Sequence, residues 1–285
     1  MYYSMIYDDT SVGMNNGQSE VWWQSSPGAP AITYWWYNTG SCTFNETDII
    51  FDNTVAYSTT TSKSSLWPYG GGSRPFQTTA MHEFGHAQGL GHTADRYAIM
   101  GQDWDHIHAN GTTATAYPGE DAMAGSCAVY GLDAALVQDL GAAHWRWTGA
   151  SGAYSAHDRT RLFNTSLVEL PKVAGTLEPV YRVSKGQAVR LEMSFENMGA
   201  STQTVKVGYY LSTNDLISTA DTFLGEQTIT VSRDSVLTTN GSTVTVPTWT
   251  TSGVNYWIGA IIDYNGAVPE IYESNNATYT GIRIN

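Results

Sequence analysis

Three histidines and a glutamate stand at fixed intervals in His82-Glu83-Phe84-Gly85-His86-Ala87-Gln88-Gly89-Leu90-Gly91-His92. Residues four apart on an α-helix lie about one turn apart on the same face, so His82 and His86 can direct both imidazoles at one ion. Glu83 sits beside His82, close to that ion but angled away from ligating it, where a base acting on water belongs. His92 cannot share the helix face. The chain must turn sharply first, and Gly89 tolerates the left-handed backbone that such a turn needs. Three neutral imidazoles around Zn2+ leave the fourth position open, as in a catalytic rather than a structural zinc site. The chemistry this spacing suits is hydrolysis by a zinc-activated water, with Glu83 as general base.

Further positions extend the pattern. The order H-E-x-x-H-x-x-G-x-x-H followed by Met100 resembles the metzincin metallopeptidases. Gly89-Leu90-Gly91-His92-Thr93 and then Ala98-Ile99-Met100 are most similar to the matrixin branch, and Asp48-Ile49-Ile50-Phe51-Asp52 resembles the sheet strand that precedes the active helix there. The resemblance implies a zinc endopeptidase. Met100 would form a Met-turn, an apolar floor under the histidines, and Gly101 to Gly125 would wall the pocket beyond the scissile bond. A protein or peptide substrate would lie extended along a sheet edge. The sequence departs from the pattern in three ways. Gln102 stands where some metzincins carry a tyrosine, no cysteine-switch propeptide is present, and only about eighty residues precede His82. That is short for the upper half of the family's catalytic domain, so a leading strand, a helix or a propeptide is expected to be missing. In Trp104-Asp105-His106-Ile107-His108 the two histidines could bind a second ion, but a solvated loop is the plainer reading.

Composition narrows the setting. The 285 residues are 41% hydrophobic and 14% charged, with a net charge of -13. That size supports one large or two medium domains. The acidity argues against nucleic acid and anionic membranes as partners and would attract basic substrates weakly. It also leaves structural Ca2+ open as a second cofactor beside Zn2+. Cys42 and Cys127 could pair if the protein is exported, with two free thiols as the alternative. No apolar run is long enough to span a bilayer. The opening Met1-Tyr2-Tyr3-Ser4-Met5-Ile6-Tyr7-Asp8 lacks a basic segment and an apolar core, so it is no signal peptide. The expectation is a secreted or cell-surface protein whose leader lies upstream.

The elements that must hold the site can be read coarsely. Ala31 to Tyr37 and Asp48 to Phe51 are strand candidates. The active helix should run from near Phe76 to Gly89. Leu132, Leu136, Val137 and Leu140 suggest a second helix over Ala128 to Trp145. Thr148-Gly149-Ala150-Ser151-Gly152-Ala153 reads as a linker, dividing a zinc peptidase domain at 1–150 from a second domain at 160–285. In the second domain apolar residues alternate: Val189, Leu191, Met193 and Phe195; Val205, Val207, Tyr209 and Leu211; Tyr256, Ile258, Ala260 and Ile262. Turn signals separate these runs, which implies an antiparallel β-sandwich.

Glu196-Asn197-Met198-Gly199, Tyr210-Leu211-Ser212-Thr213-Asn214-Asp215, Asp221-Thr222-Phe223-Leu224-Gly225 and Val268-Pro269-Glu270-Ile271-Tyr272-Glu273-Ser274-Asn275-Asn276 resemble the course of a CARDB domain. The resemblance implies an immunoglobulin-like module common on bacterial and archaeal surfaces. Such a module could take a cell-surface or extracellular-matrix ligand. Asp215, Asp221, Glu270 and Glu273 are candidates for calcium, with solvated turn carboxylates the plainer reading. The expected fold is therefore an α+β metzincin-like catalytic domain with a C-terminal all-β immunoglobulin-like sandwich. The competing functional reading is a surface-binding or adhesion protein whose zinc domain is secondary or inactive.

Overall fold

A computed structural model describes residues 12–131 and 137–285. The first half contains a three-stranded sheet of β1 (Val21–Gln24), β2 (Ala31–Asn38) and β3 (Thr43–Asp52), with β3 in the centre. β1 runs parallel to β3 and β2 antiparallel to it. The long α1 (Phe76–Ala87) packs on this sheet. Its contact is apolar: Ala31, Ile49 and Phe51 bury against Phe76, Ala80 and Ala87. Aromatic and branched residues favour the strands, and Gly89 ends the helix. Gly89 has φ +92, and Leu90 N–H returns to Gly85 O at 3.0 Å, closing the last turn. The expected strands and active helix are thus present.

The expected helix over Ala128 to Trp145 is corrected. α2 (Gly119–Tyr130) starts earlier and stops at Gly131, whose φ is +82. Leu140–Ala143 is a strand with all four residues buried. A short apolar run buried on both faces mimics helical periodicity, so spacing alone could not separate the two. Leu132 and Leu136 lie outside the described residues, and Val137 is exposed. Cys42 and Cys127 are free: Cys42 is exposed in the β2–β3 turn and Cys127 is half-buried on α2.

The second half forms two β layers around one core. Five strands pair in the order Val180–Val183, Ala277–Ile284, Asn255–Ile262, Gln203–Ser212, Thr222–Val231. Opposite them lie two three-stranded sheets, one built on Ala188–Leu191 and one on Met193–Asn197. The alternating residues meet between the layers. Val189, Leu191, Met193, Phe195, Val205, Val207, Tyr209, Leu211, Ile258, Ala260 and Ile262 all belong to one buried cluster. Burial of that many branched and aromatic side chains is the main force holding the layers together.

Two details differ from an isolated antiparallel sandwich. Val180–Val183 runs parallel to Ala277–Ile284. Leu140–Ala143, from before the expected boundary, pairs with Met193–Asn197. The expected linker at Thr148 to Ala153 is likewise corrected. It is the tip of a hairpin in which Trp145–Ser151 pairs with Tyr154–Arg159. Small residues there serve a tight reversal rather than a free tether. Among the described residues, no helix is long and apolar enough to cross a membrane.

Candidate metal centre

His82, His86 and His92 converge. Each offers a ligand atom, and these atoms lie within 4.8 Å of one another. His86 Nε2 is 3.1 Å from His82 Nε2 and 3.0 Å from His92 Nε2. The other ring nitrogens explain the orientation. His82 Nδ1 lies 2.7 Å from Ile99 O, and His86 Nδ1 lies 2.8 Å from Leu90 O. Carbonyl oxygens only accept, so both Nδ1 atoms carry the proton and donate. The Nε2 atoms of His82 and His86 then face each other as bare lone pairs, with His92 Nε2 3.0 Å from that of His86, an arrangement that suits a cation between them. A tetrahedral zinc with bonds of about 2.0–2.1 Å holds its ligands about 3.3 Å apart, only a few tenths from the spacing here. Burial lowers the His86 pKa to about 4, against the bond to Leu90 and with help from the neighbouring histidines. Burial also lowers that of His92. Neutral rings are the ligating form.

Glu83 lines the same cleft and is buried. Burial raises its pKa, against the opposing pull of Thr33 and His82. The Thr33 hydroxyl, on β2, lies 2.7 Å from Glu83 Oε2 and fixes that carboxylate. The cleft encloses about 580 Å³. One wall is Ala29 to Thr33 with Trp35, along the edge of β2 that has no strand partner among the described residues. Only Gly101 to Trp104 of the expected Gly101–Gly125 wall reach it, because the chain beyond turns into the protein interior.

Met100 is fully buried with Ile99, Ala122, Met81 and Leu90. It abuts α1 at Gly85, where a Cβ would collide with the Met100 sulfur. Gly85→Ala should therefore lower stability by about 1–3 kcal/mol through overpacking. An exposed helical site would instead gain about 1 kcal/mol from the same change. Thermal denaturation decides the sign, and a stabilised variant would disprove the close packing.

Several contributors to the site were missed in the sequence. Arg74 donates to both Asp103 oxygens, at 2.6 and 2.8 Å, and to Thr79 Oγ1 at 2.9 Å. This ties the start of α1 to the segment after Met100. Gln102 lines the cleft and donates to Asp105 Oδ2 at 2.7 Å. The ring of Tyr154, at the hairpin tip, sits 4.2 Å from that of His92. A chain of contacts holds this hairpin. Ser155 Oγ is 2.7 Å from His157 Nε2, and His157 Nδ1 is 2.8 Å from Asp105 Oδ1. These are the contacts of a nucleophilic serine, yet Ser155 is buried against Gly101 and no substrate reaches it. Its role is to anchor the hairpin. No local sequence signal could have found these long-range partners.

Among the described residues the four calcium candidates form no single metal-binding group. Asp215 pairs with Lys63, and Asp221 accepts from Ser218 N–H at 2.8 Å. Glu270 accepts from Leu140 N–H, and both Glu270 and Glu273 accept from the Asn276 amide. His106 and His108 are buried, which overturns the solvated-loop reading.

Residues 38–125 match the matrixin family model, and the three histidines, Glu83 and Met100 all lie inside that stretch. A search of curated proteins finds no match. Among solved structures, part of the chain is similar to a CARDB domain from Pyrococcus furiosus in complex with di-metal ions. That likeness has 20% identity over 36% of this chain and 83% of the other, with a TM-score of 0.28. A solution structure of a CARDB domain from the same organism gives 18% identity over 52% and 96%, with a TM-score of 0.30. The matrixin resemblance read from the sequence thus recurs over residues 38–125, and at the level of that family it supports a metallopeptidase.

Proposed function

We propose that this protein is a zinc-dependent endopeptidase in which His82, His86 and His92 hold the metal. The observation that carries the reading is the convergence of three Nε2 lone pairs, two of them fixed by carbonyl acceptors, beside a buried carboxylate. Zinc bound there would supply Lewis acidity, acidifying the attacking water and polarising a substrate carbonyl.

The chain's own residues do the rest. Glu83 takes a proton from the attacking water and returns it to the leaving amine nitrogen. Its raised pKa brings it nearer the operating pH, and the Thr33 hydroxyl keeps one oxygen fixed. An extended peptide adds to the free edge of β2 by backbone hydrogen bonds. Trp35 and Tyr154 flank the bound strand and contribute apolar contact. Met100 braces α1 from below.

The test is hydrolysis of casein and of a peptide library by the purified chain, with and without a chelator. Cleavage that stops with chelator and returns with added zinc is expected. A chain that holds zinc at these histidines and cleaves nothing would favour the surface-binding reading, in which the β-rich half carries the activity.

A further inference from the structure

A second constellation lies in the interior, away from the cleft. His106, His108 and Glu196 are all buried, and their ligand atoms lie within 4.8 Å of one another. His106 Nε2 is 2.9 Å from Glu196 Oε1, and His108 Nε2 is 2.8 Å from Glu196 Oε2. Glu196 belongs to the strand Met193–Asn197 in the β-rich half and lies outside the matrixin match.

The tautomers make the case. His108 Nδ1 lies 3.1 Å from Ala142 O and so carries the proton. In the neutral ring its Nε2 is then a bare lone pair pointed at a carboxylate oxygen. That short contact does not have hydrogen-bond angles, and both His108 Nε2 and Glu196 Oε2 are without a hydrogen-bond partner. Glu120, buried at the start of α2 and within reach of Glu196, has both carboxylate oxygens unpartnered as well. Buried polar atoms left this way cost several kcal/mol unless something compensates them. A cation compensates all of them together.

The surroundings are shaped to the cluster. A Cβ at Gly119 would come within 2.8 Å of His106 Cε1, and one at Gly141 within 2.7 Å of His108 Cε1. The glycine backbones let both rings pack in place. A donor set of two imidazoles with carboxylates suits zinc or a similar divalent transition metal better than calcium, which prefers oxygen ligands alone. Ligand atoms 2.8–2.9 Å apart need to spread by a few tenths of an ångström to surround zinc.

We propose that His106, His108 and Glu196 form a buried structural site for a divalent transition metal, with the Glu120 carboxylate beside them. That ion would staple the segment after Met100 to the β-rich half. The inference does not rest on the peptidase reading.

Metal counting by mass spectrometry on the whole chain, dialysed against zinc and then buffer, tests it. Wild type should retain two equivalents and Glu196→Gln one. A chain carrying His82→Ala, His86→Ala and His92→Ala should keep one equivalent, with two imidazoles in its X-ray absorption spectrum. One equivalent in wild type that Glu196→Gln retains and the triple variant loses overturns the proposal. So does a folded triple variant that holds no zinc, or that holds it with fewer than two imidazoles. Should the triple variant not fold, Glu196→Gln decides: one equivalent fewer than wild type supports the proposal, and an unchanged count overturns it.

Discussion

Glu83→Ala is expected to leave the zinc content unchanged and to lower peptide hydrolysis by about 10²–10⁴-fold. General-base catalysis contributes roughly 10²–10⁴-fold. Removing the carboxylate also leaves the Thr33 hydroxyl without its Oε2 acceptor, although Glu83 O remains 3.0 Å away to take the bond. The metal ligands are separate groups, and the carbonyls of Ile99 and Leu90 orient two of them independently of Glu83. Loss of rate with zinc retained therefore separates the base from the metal site. Cleavage persisting near the wild-type rate would remove Glu83 from the chemistry.

Arg74→Met is expected to give the largest loss of stability of any single change near the cleft. Asp103 is buried, and its two oxygens accept from Arg74 at 2.6 and 2.8 Å. Removing one partner of a buried pair leaves an uncompensated charge, at a cost of about 3–5 kcal/mol. An Asp103→Asn change added to the Met variant should restore part of that loss, because the stranded charge is gone. The same bond joins the strand before α1 to the residues after Met100, so zinc affinity should fall along with the melting temperature. Urea denaturation of the single and double variants measures both expectations. Equal midpoints for Arg74→Met and wild type would mean that the pair carries no net stability.

The positions of His82, Glu83, His86 and His92 were legible because a helix and its terminal turn fix them locally. The chain specifies a spacing, and elementary helix geometry converts it into a shared face. The alternation at Val205, Val207, Tyr209 and Leu211 was legible for the same reason, since successive strand side chains point to opposite faces. Leu140–Ala143 was misread because four consecutive buried residues satisfy either period.

What sequence by itself determined is thus the spacing that brings three histidines and a glutamate together and the presence of a β-rich second half. Tertiary structure alone decided which distant groups complete each site. Thr33 reaches Glu83 across fifty positions, and His106 meets Glu196 across ninety. It also turned Thr148 to Ala153 from an apparent tether into a hairpin that sets Tyr154 beside His92. Local geometry propagates only a few residues along a chain. Contacts between distant segments follow from which apolar faces bury against each other, and no single segment encodes that outcome.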